Sequence, residues 1–441
     1  MRPRTLTIRS LVPCPFVLAM PASYSAGASR HSSLSRDGSS QRRFLELAHA
    51  RFREGASVAR ELGLVRVRVS EVSPPYVVTS DGRRLTNFAS CCYLETATHP
   101  DVVGASLSAT ERFGTQFSIS PTYMGVDLYS VLESKMAEIA GSPVVVAATT
   151  TLAHFGALPA LVPADALVVV DRQAHNSLQM ASRLLAGSGV EVCHIPHSDL
   201  SALADLVAAN ASRPVWYVAD GVYSMFGDVA PYDELAELAD RFENLWLYLD
   251  DAHGVGWSGV RGRGGAADAF AGHPRAVVVL GLAKSWGSGG AAVAVPSVEV
   301  AEEVLLSPTP FVFSGPLKPS ELGAAVASAD WHLSAEREVA AGRLAELVAH
   351  TFAEADRLGL EVMDRSPTPI FFVRVGETER AFELGARLLA EGFYGNVSGF
   401  PVVPRGKAGI RFTISTALTE ELISDMLACL RRSLSSSRLA A

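Results

Sequence analysis

The chain has 441 residues, of which 48% are hydrophobic and 19% charged, which is enough to bury a large core divided over two or three domains. This composition excludes a disordered chain, collagen and a coiled coil, and a net charge of −8 argues against nucleic acid as a partner. The five cysteines are scattered without C-x-x-C spacing, so we expect neither a zinc knuckle nor a disulfide scaffold and predict a reducing, cytoplasmic location.

Residues 1–43 differ from the rest of the chain. They are rich in Arg, Ser and Ala around the apolar stretch Leu11–Met20, a pattern that also occurs in secretory signals. Pro13 and Pro15 interrupt that stretch, so a disordered extension or an over-long start is the favoured interpretation. No run in the sequence reaches the ~18–20 apolar residues that a membrane helix needs.

An N-terminal segment, 44–95, precedes the predicted large domain, 96–315. In that domain short apolar runs alternate with amphipathic helices such as Asp233–Phe242. Continuous apolar strands are buried on both faces, so the sequence predicts an α/β fold with a mostly parallel, doubly wound sheet, whose ligands bind beyond the carboxyl ends of the strands. The predicted strands are Val144–Ala148, Ala166–Val170, Val190–Ile195, Val215–Ala219, Leu245–Leu249, Ala276–Leu280 and Ala291–Val295.

The pattern of the sequence changes in 316–441, which we interpret as a second, smaller α/β domain. A long helical stretch, Ser320–Leu358, comes first. Predicted strands at Ile370–Val375 and Ile410–Ile414 and a closing helix, Thr419–Ser433, follow it.

Polar side chains follow two of the apolar strands directly. Leu245–Leu249 continues into Asp250 and, three residues later, His253, whereas Ala276–Leu280 is followed by Lys284 among small residues. A carboxylate at the end of a buried strand needs a cation or a hydrogen-bond donor, and the alternative for Asp250 is a helix N-cap. A partly desolvated lysine is a nucleophile for a carbonyl carbon, and the alternative for Lys284 is a solvated surface residue.

Two further strand ends carry polar groups. His175 comes after Ala166–Val170, and Val144–Ala148 turns into a helix through Thr149–Leu152. The free N–H groups and hydroxyls of such a turn suit an anion such as phosphate, and an ordinary Thr N-cap is compatible with that use. The alternative for His175 is a hydrogen-bonded histidine at a helix start.

Together these groups are what pyridoxal phosphate (PLP) needs from a protein. A lysine forms the Schiff base, a carboxylate keeps the pyridine nitrogen protonated, a turn holds the phosphate and an imidazole contacts the ring. Lys284, Asp250, His175 and the Thr149–Leu152 turn provide one each. Their coincidence at one edge of a sheet is more informative than any one of them.

The run Asp250–Gly259, continuing to Gly265, strongly resembles the α-oxoamine synthases, a family of PLP-dependent enzymes. The resemblance extends from Asn87–Ser90 through Gly221–Met225 to Arg411–Ile414, which is nearly all of the chain after the N-terminal extension. The family implies a fold-type-I homodimer whose active site lies at the subunit interface.

The resemblance also implies roles for single residues. Lys284 is the lysine that binds PLP covalently, Asp250 the partner of the pyridine nitrogen, and His175 the imidazole stacked on the ring. His253 and Ser224 are implied to contact the ring hydroxyl. The phosphate is implied to be held by the backbone of Thr151 and Leu152 and by Ser314 from the partner subunit. Arg411 is implied to bind the amino-acid carboxylate.

Several positions depart from the family's pattern. Cys91 replaces an Asn that helps to hold the substrate carboxylate, and Asp220, which we also assign to the substrate side, replaces a Glu. Thr151-Leu152 replaces a Gly-Phe pair, and Gly281 replaces a phosphate-binding Thr. We therefore expect the covalent and ring contacts of the cofactor to be kept in a specialised branch that takes an unusual substrate.

The reaction that the resemblance implies is a decarboxylative, Claisen-type condensation of an amino acid with an acyl thioester of CoA or of acyl carrier protein. Its product is an α-aminoketone, and His175 and Lys284 assist the proton transfer. The alternatives are an aminotransferase on the same scaffold and a non-catalytic regulator. A regulator would have no need to keep Lys284, Asp250 and His253 together.

Overall fold

The computed structural model describes residue 50 and residues 52–436. The predictions made for 1–43 lie outside this part of the chain. The first described elements are helix α1 (52–61) and the antiparallel strands β1 (Val69–Ser73), β2 (Tyr76–Thr79) and β3 (Arg84–Asn87). The sequence analysis did not predict this small sheet, whose outer strand β1 is exposed along its whole length.

A seven-stranded sheet is the largest in the described structure. Its strands are β4 (Val144–Ala147), β5 (Leu167–Asp171), β6 (Glu191–Ile195), β7 (Val215–Asp220), β8 (Leu245–Asp250), β9 (Ala276–Gly281) and β10 (Ala291–Ala294). Their order is β4-β10-β9-β8-β7-β5-β6, and β10 alone among them runs antiparallel to both its neighbours. The predicted mostly parallel α/β sheet is confirmed, and all seven predicted strands are present.

Side chains on the two faces of this sheet enter two separate hydrophobic clusters. In β5, Val168 and Val170 pack in one cluster and Val169 in the other, as the alternation of a strand requires. Helices cover both faces because neither face can be left in water. They are α2 (Pro100–Phe113), α3 (Leu128–Ala140), α4 (Thr150–Leu161), α5 (Asn176–Gly187), α6 (Leu200–Ala209), α7 (Tyr232–Arg241), α8 (Gly265–Phe270), α9 (Val298–Leu306) and α10 (Pro310–Phe313).

The predicted long helical stretch is two helices, α11 (Pro319–His332) and α12 (Ala335–Leu358). The break lies at Ser334, whose hydroxyl accepts a hydrogen bond from the N–H of Glu336 at 3.2 Å and so begins a new helix. Apolar side chains of α11 belong to the core of the large sheet, which places this helix beside the elements that precede residue 316.

A three-stranded antiparallel sheet of order β11-β14-β13 lies in the C-terminal part. Its strands are β11 (Ile370–Gly376), β13 (Asn396–Ser398) and β14 (Ala408–Thr413), and the helices α13 (Thr378–Ala390) and α14 (Glu420–Ser436) pack around it with α12. The short strand β12 (Phe393–Tyr394) pairs in parallel with β3 and joins this part to the N-terminal sheet. The division into a large and a small domain at 316 remains a prediction.

Among the described residues, no helix is both long and apolar enough to cross a membrane.

Candidate active site

The carboxyl ends of β7, β8 and β9 carry the charged groups that the sequence analysis singled out. Asp220 and Asp250 end adjacent parallel strands and lie opposite one another in the register. Lys284 follows three residues after β9 ends at Gly281. The fold therefore brings two carboxyl groups and an amine together at one edge of the sheet, where one carboxylate, Asp250, was expected with Lys284.

The Asp250 carboxyl group is buried and has two protein donors. Its Oδ1 accepts a hydrogen bond from the N–H of Ala252 at 2.9 Å, and its Oδ2 lies 2.8 Å from Nε2 of His154. Burial opposes ionisation, but the interactions with His154 and then Lys284 outweigh it and hold the pKa of Asp250 well below its ordinary value. No α-helix begins at Asp250, so its carboxylate is not an N-cap.

Lys284 is half-buried and is not a fully solvated surface lysine. Burial lowers the pKa of its amine, whereas the charge of Asp250 acts in the opposite direction. The backbone that follows is held closely: Gly287 has φ +73°, and a Cβ there would collide with the backbone N of Ala97. A lowered amine pKa in a confined pocket is what nucleophilic attack on a carbonyl requires.

Asp220 is the second buried carboxyl group, and its protonation differs from that of Asp250. Its Oδ1 accepts a hydrogen bond from the backbone N–H of His175 at 2.9 Å. Burial and the adjacent charge of Asp250 raise the pKa of Asp220 well above its ordinary value. Their surroundings therefore shift the pKa values of the two carboxyl groups in opposite directions, because two like charges close together in a buried site disfavour each other.

His175 lies at the N-cap of α5, and its Nδ1 lies 2.7 Å from the hydroxyl of Ser177. The predicted alternative of a hydrogen-bonded histidine at a helix start is therefore compatible with its position. Its side chain is nevertheless exposed in this single chain. The protein atoms around its ring still displace enough water to lower the pKa of His175, and the charge of Lys284 acts in the same direction.

His253 is buried, and its Nδ1 lies 2.7 Å from the hydroxyl of Tyr93. Burial, followed by the charges of Lys284 and Arg411, lowers the pKa of His253 well below its ordinary value. Burial raises the pKa of Tyr93, so that its phenol keeps its proton and donates to Nδ1. The neutral ring of His253 then carries its proton on Nε2, which remains a donor.

Arg411 on β14 brings two predicted positions together. Its Nε donates to the carbonyl of Ser224 at 2.6 Å, and its Nη2 lies 3.9 Å from Sγ of Cys91. The second contact is long and has a weak acceptor. Arg411 is therefore held mainly by the hydrogen bond from its Nε, whereas its Nη2 makes only a long contact.

The Thr149–Leu152 turn begins α4. The hydroxyl of Thr149 accepts a hydrogen bond from the N–H of Leu152 at 3.1 Å, so the N-cap interpretation is confirmed and this N–H is partly used within the helix. The N–H groups of the first turn, among them that of Thr151, have no intrahelical acceptor. Leu152 and Ser314 line one pocket of a single chain, whereas the predicted contact of Ser314 with a partner's cofactor stays a prediction.

Gly281 has a steric explanation. A Cβ at this position would lie 2.5 Å from Cβ of Ala252 and 3.1 Å from the hydroxyl oxygen of Thr150. A threonine there would displace one of them. The hydroxyl of Thr150 already occupies the neighbouring space, so a polar group is present without a side chain on β9.

The sequence analysis missed His154 and Tyr93. His154 is fully buried on α4, where neighbours such as Ala153, Ala157 and Leu158 are apolar. A single imidazole in an otherwise apolar helix was the available signal, because a buried polar group needs a partner. Its partner, Asp250, is 96 residues away in sequence, which local patterns do not reveal.

These groups fit PLP chemically. The site offers an amine with a lowered pKa, a buried carboxylate that stays ionised for a pyridinium nitrogen, and a neutral imidazole with a free Nε2–H. A helix N-terminus for a phosphate group begins in the same region. Lys284, Asp250, His253 and Thr151 would provide these four contacts.

Comparisons with known proteins agree with this chemistry. The family model for aminotransferases of class I and II matches residues 84–430. The 8-amino-7-oxononanoate synthase of Nitrosococcus oceani is 34% identical over 350 residues, which is 79% of this chain and 91% of the relative. That of Geobacter sulfurreducens is 34% identical over 377 residues, covering 85% and 95% of the two chains.

Solved structures share the fold. The serine palmitoyltransferase of Sphingomonas wittichii superposes with a TM-score of 0.81 at 22% identity, covering 88% of this chain and 97% of that one. The 8-amino-7-oxononanoate synthase of Francisella tularensis gives a TM-score of 0.68 at 18% identity, covering 80% and 99%. At these identities the likeness establishes the architecture, and the site chemistry has to be argued from the residues.

Proposed function

The chain belongs to the α-oxoamine synthase family of fold-type-I, PLP-dependent enzymes, and we propose that it condenses an amino acid with an acyl thioester, with release of CO2 and the free thiol, to an α-aminoketone. The observation that carries the proposal is the placement of the buried Asp250 carboxyl group and the Lys284 amine at the ends of neighbouring strands, close enough for their charges to interact. Arg411 lies close enough for its charge to act on Lys284, which adds a cation for a carboxylate substrate.

The residues that would hold PLP surround this pair. Lys284 would bind it covalently, Asp250 would bind its ring nitrogen, and Nε2–H of His253 would donate to its ring hydroxyl, with Ser224 beside it. His175 would stack on the ring, and it is held at the start of α5 by Ser177 and by the backbone contact to Asp220. When bound, PLP supplies the electron sink for the bond that breaks at Cα of the amino acid.

The protein's own part in the reaction is to orient the amino acid and to move one proton. Arg411 binds the amino-acid carboxylate through the N–H groups that Ser224 leaves free. Nζ of Lys284 takes the Cα proton, and its lowered pKa leaves more of the amine unprotonated and able to do so. The raised pKa of Asp220 disfavours a second negative charge next to Asp250.

We further propose that the enzyme is a cytoplasmic homodimer that takes its acyl group from CoA or from acyl carrier protein. The family resemblance supports the dimer, in which Ser314 would reach the phosphate site of the other subunit. Within the described residues Cys91, Cys92, Cys193 and Cys429 are all free thiols, which supports a reducing compartment.

Product analysis separates this proposal from transamination. The purified protein is loaded with PLP and incubated with a panel of amino acids together with acyl-CoA or acyl carrier protein thioesters, with Lys284→Ala as the background. We expect free thiol and CO2 in equal amounts, and a product whose mass equals that of the amino acid plus the acyl thioester minus CO2 and the free thiol. A 2-oxo acid without thiol release would instead establish an aminotransferase.

A further inference from the structure

A chain of three polar side chains is buried between β8 and α4. Tyr248 and Asp250 are two residues apart on β8 and so project from the same face of the sheet. His154 on α4 lies between them, with Nε2 2.8 Å from Oδ2 of Asp250 and Nδ1 3.1 Å from the Tyr248 hydroxyl. His154 is inaccessible to solvent, and both ring nitrogens have a partner.

The hydrogen bonds that join Tyr248, His154 and Asp250 have a preferred donor and acceptor at each step. An ionised carboxylate only accepts, so the bond to Asp250 is donated by Nε2–H of His154. Burial and the charge of Asp250 raise the pKa of Tyr248 well above its ordinary value, so its hydroxyl keeps its proton. The Tyr248 hydroxyl lies within hydrogen-bond distance of Nδ1, and its contact orients the ring so that Nε2–H faces Asp250.

The position of His154 links the two ends of the proposed cofactor site. Its helix, α4, begins at the Thr149 cap that we assign to the phosphate, and His154 follows one turn later. The carboxylate of Asp250 is held at Oδ1 by the N–H of Ala252 and at Oδ2 by His154. Without His154, one oxygen of a buried charge would lose its side-chain donor, which is costly in a low dielectric.

We propose that His154, oriented by Tyr248, is a positioning residue that holds the Asp250 carboxylate ionised and correctly oriented for the pyridine nitrogen of PLP. It acts through Asp250 and does not touch the substrate. This inference rests on the proposed function because that function gives Asp250 its ligand.

The test compares variants that keep or remove the donor at this position. His154→Gln retains an N–H donor, His154→Leu removes it at similar volume, and Tyr248→Phe removes only the far hydrogen bond. Leu158→Ala is the matched control, because Leu158 is equally buried on α4 and has no polar group. The dissociation constant for PLP is measured on the apoenzymes by equilibrium dialysis, and the unfolding midpoint is recorded for each.

We expect His154→Leu to weaken PLP binding about tenfold or more, and His154→Gln to stay within about threefold of the parent, since a charge-assisted hydrogen bond is lost in one and kept in the other. Tyr248→Phe should fall between them. Leu158→Ala should lower the unfolding midpoint through its cavity and leave PLP binding within about twofold of the parent.

The inference is overturned if the His154→Leu variant binds PLP as tightly as the parent. It is also overturned if the Leu158→Ala variant loses as much PLP affinity as the His154→Leu variant. If His154→Leu does not fold, His154→Asn takes its place, because its shorter amide does not span the gap to Asp250. A parent protein that takes up no PLP contradicts the proposed function itself, which keeps the two failures distinct.

Discussion

The two sides of the site are built differently. On the cofactor side the buried polar groups have close partners: Asp250 with His154 at 2.8 Å and His253 with Tyr93 at 2.7 Å. On the substrate side the second contact of Arg411 is to the sulfur of Cys91 at 3.9 Å. The named groups on the cofactor side are therefore closely held, whereas the guanidinium group of Arg411 has a long contact to a weak acceptor on the substrate side.

The difference indicates which property of the enzyme each side determines. A fully paired polar network fixes one arrangement of groups and one set of protonation states. A guanidinium group whose neighbour is only a weak hydrogen-bond partner can instead bind the carboxylates of differently shaped substrates. We infer that the reaction type is determined by the cofactor side and that the choice of substrate has diverged on the side of Arg411 and Cys91.

The largest predicted change is the loss of amino-acid binding in the Arg411→Ala variant. The amino-acid carboxylate loses a bidentate, charge-assisted partner, so the amino-acid concentration for half-saturation should rise about a hundredfold. The measurement is the absorbance change of the bound cofactor as the amino acid is titrated. Arg411→Lys keeps the charge without the fork and should fall between. Unchanged half-saturation in Arg411→Ala would place the substrate carboxylate elsewhere.

Asp250→Asn tests the cofactor side. An amide cannot hold the pyridine nitrogen protonated, so turnover should fall roughly ten- to a hundredfold, in line with about 1.5–3 kcal/mol for a contact to a charged group. Much of the PLP should stay bound through Lys284.

Asp251→Asn is the matched control for that variant. Burial raises the pKa of Asp251 to about 8, so this acid is mostly neutral at pH 7 and an amide imitates it. Turnover in Asp251→Asn should stay near the parent's value. Equal losses in both variants would remove the special role of Asp250.

His197 provides a third prediction, which concerns the free energy of unfolding. Nδ1 of His197 lies 3.1 Å from the Asp171 carboxylate and its Nε2 lies 2.8 Å from Asp228. Burial disfavours the charged ring, but hydrogen bonds to the two carboxylates outweigh it and raise the pKa of His197 to about 9. A raised folded-state pKa stabilises the protein fully below the unfolded value of about 6.5 and loses that effect as the pH rises through about 9.

His197→Gln makes this effect measurable. Urea unfolding of the parent and the variant should differ by about 1–2 kcal/mol at pH 6, since the pair of charged contacts is partly solvated. The difference should shrink by pH 10. A difference that does not depend on pH would mean that His197 is uncharged in the folded protein.

The smallest effect is expected for Cys91→Asn. A thiol is a weak donor and an amide a stronger one, so amino-acid binding should stay within about threefold of the parent or become tighter. The same titration as for Arg411→Ala measures it. A large loss of binding would show that the Cys91 thiol makes a contact that an amide cannot replace.

The large sheet could be predicted from the sequence because its strands are continuous apolar runs such as Val215–Asp220, buried along their whole length. The N-terminal sheet could not, because β1 is exposed throughout and β12 has only two residues. The break at Ser334 was missed because a polar N-cap inside a helical pattern has the same composition as an exposed helix position.

The same distinction applies to the site. Asp250 and Lys284 could be singled out because one ends a buried strand and the other lies three residues after one, where a charged group is conspicuous. His154 and Tyr93 act through contacts 96 and 160 residues away in sequence. Such partners depend on how the strands and helices pack, which a local pattern does not encode.

Lys284 is the residue expected to bind the cofactor, and borohydride reduction tests this assignment most directly. The chain has four lysines, of which Lys135 and Lys318 pair with acidic residues and Lys407 is exposed. Reduction of the PLP-loaded protein, followed by peptide mass mapping, should place one PLP on the peptide that contains Lys284 and none on the others. PLP fixed to another lysine, or retained after reduction by Lys284→Ala, would contradict the account.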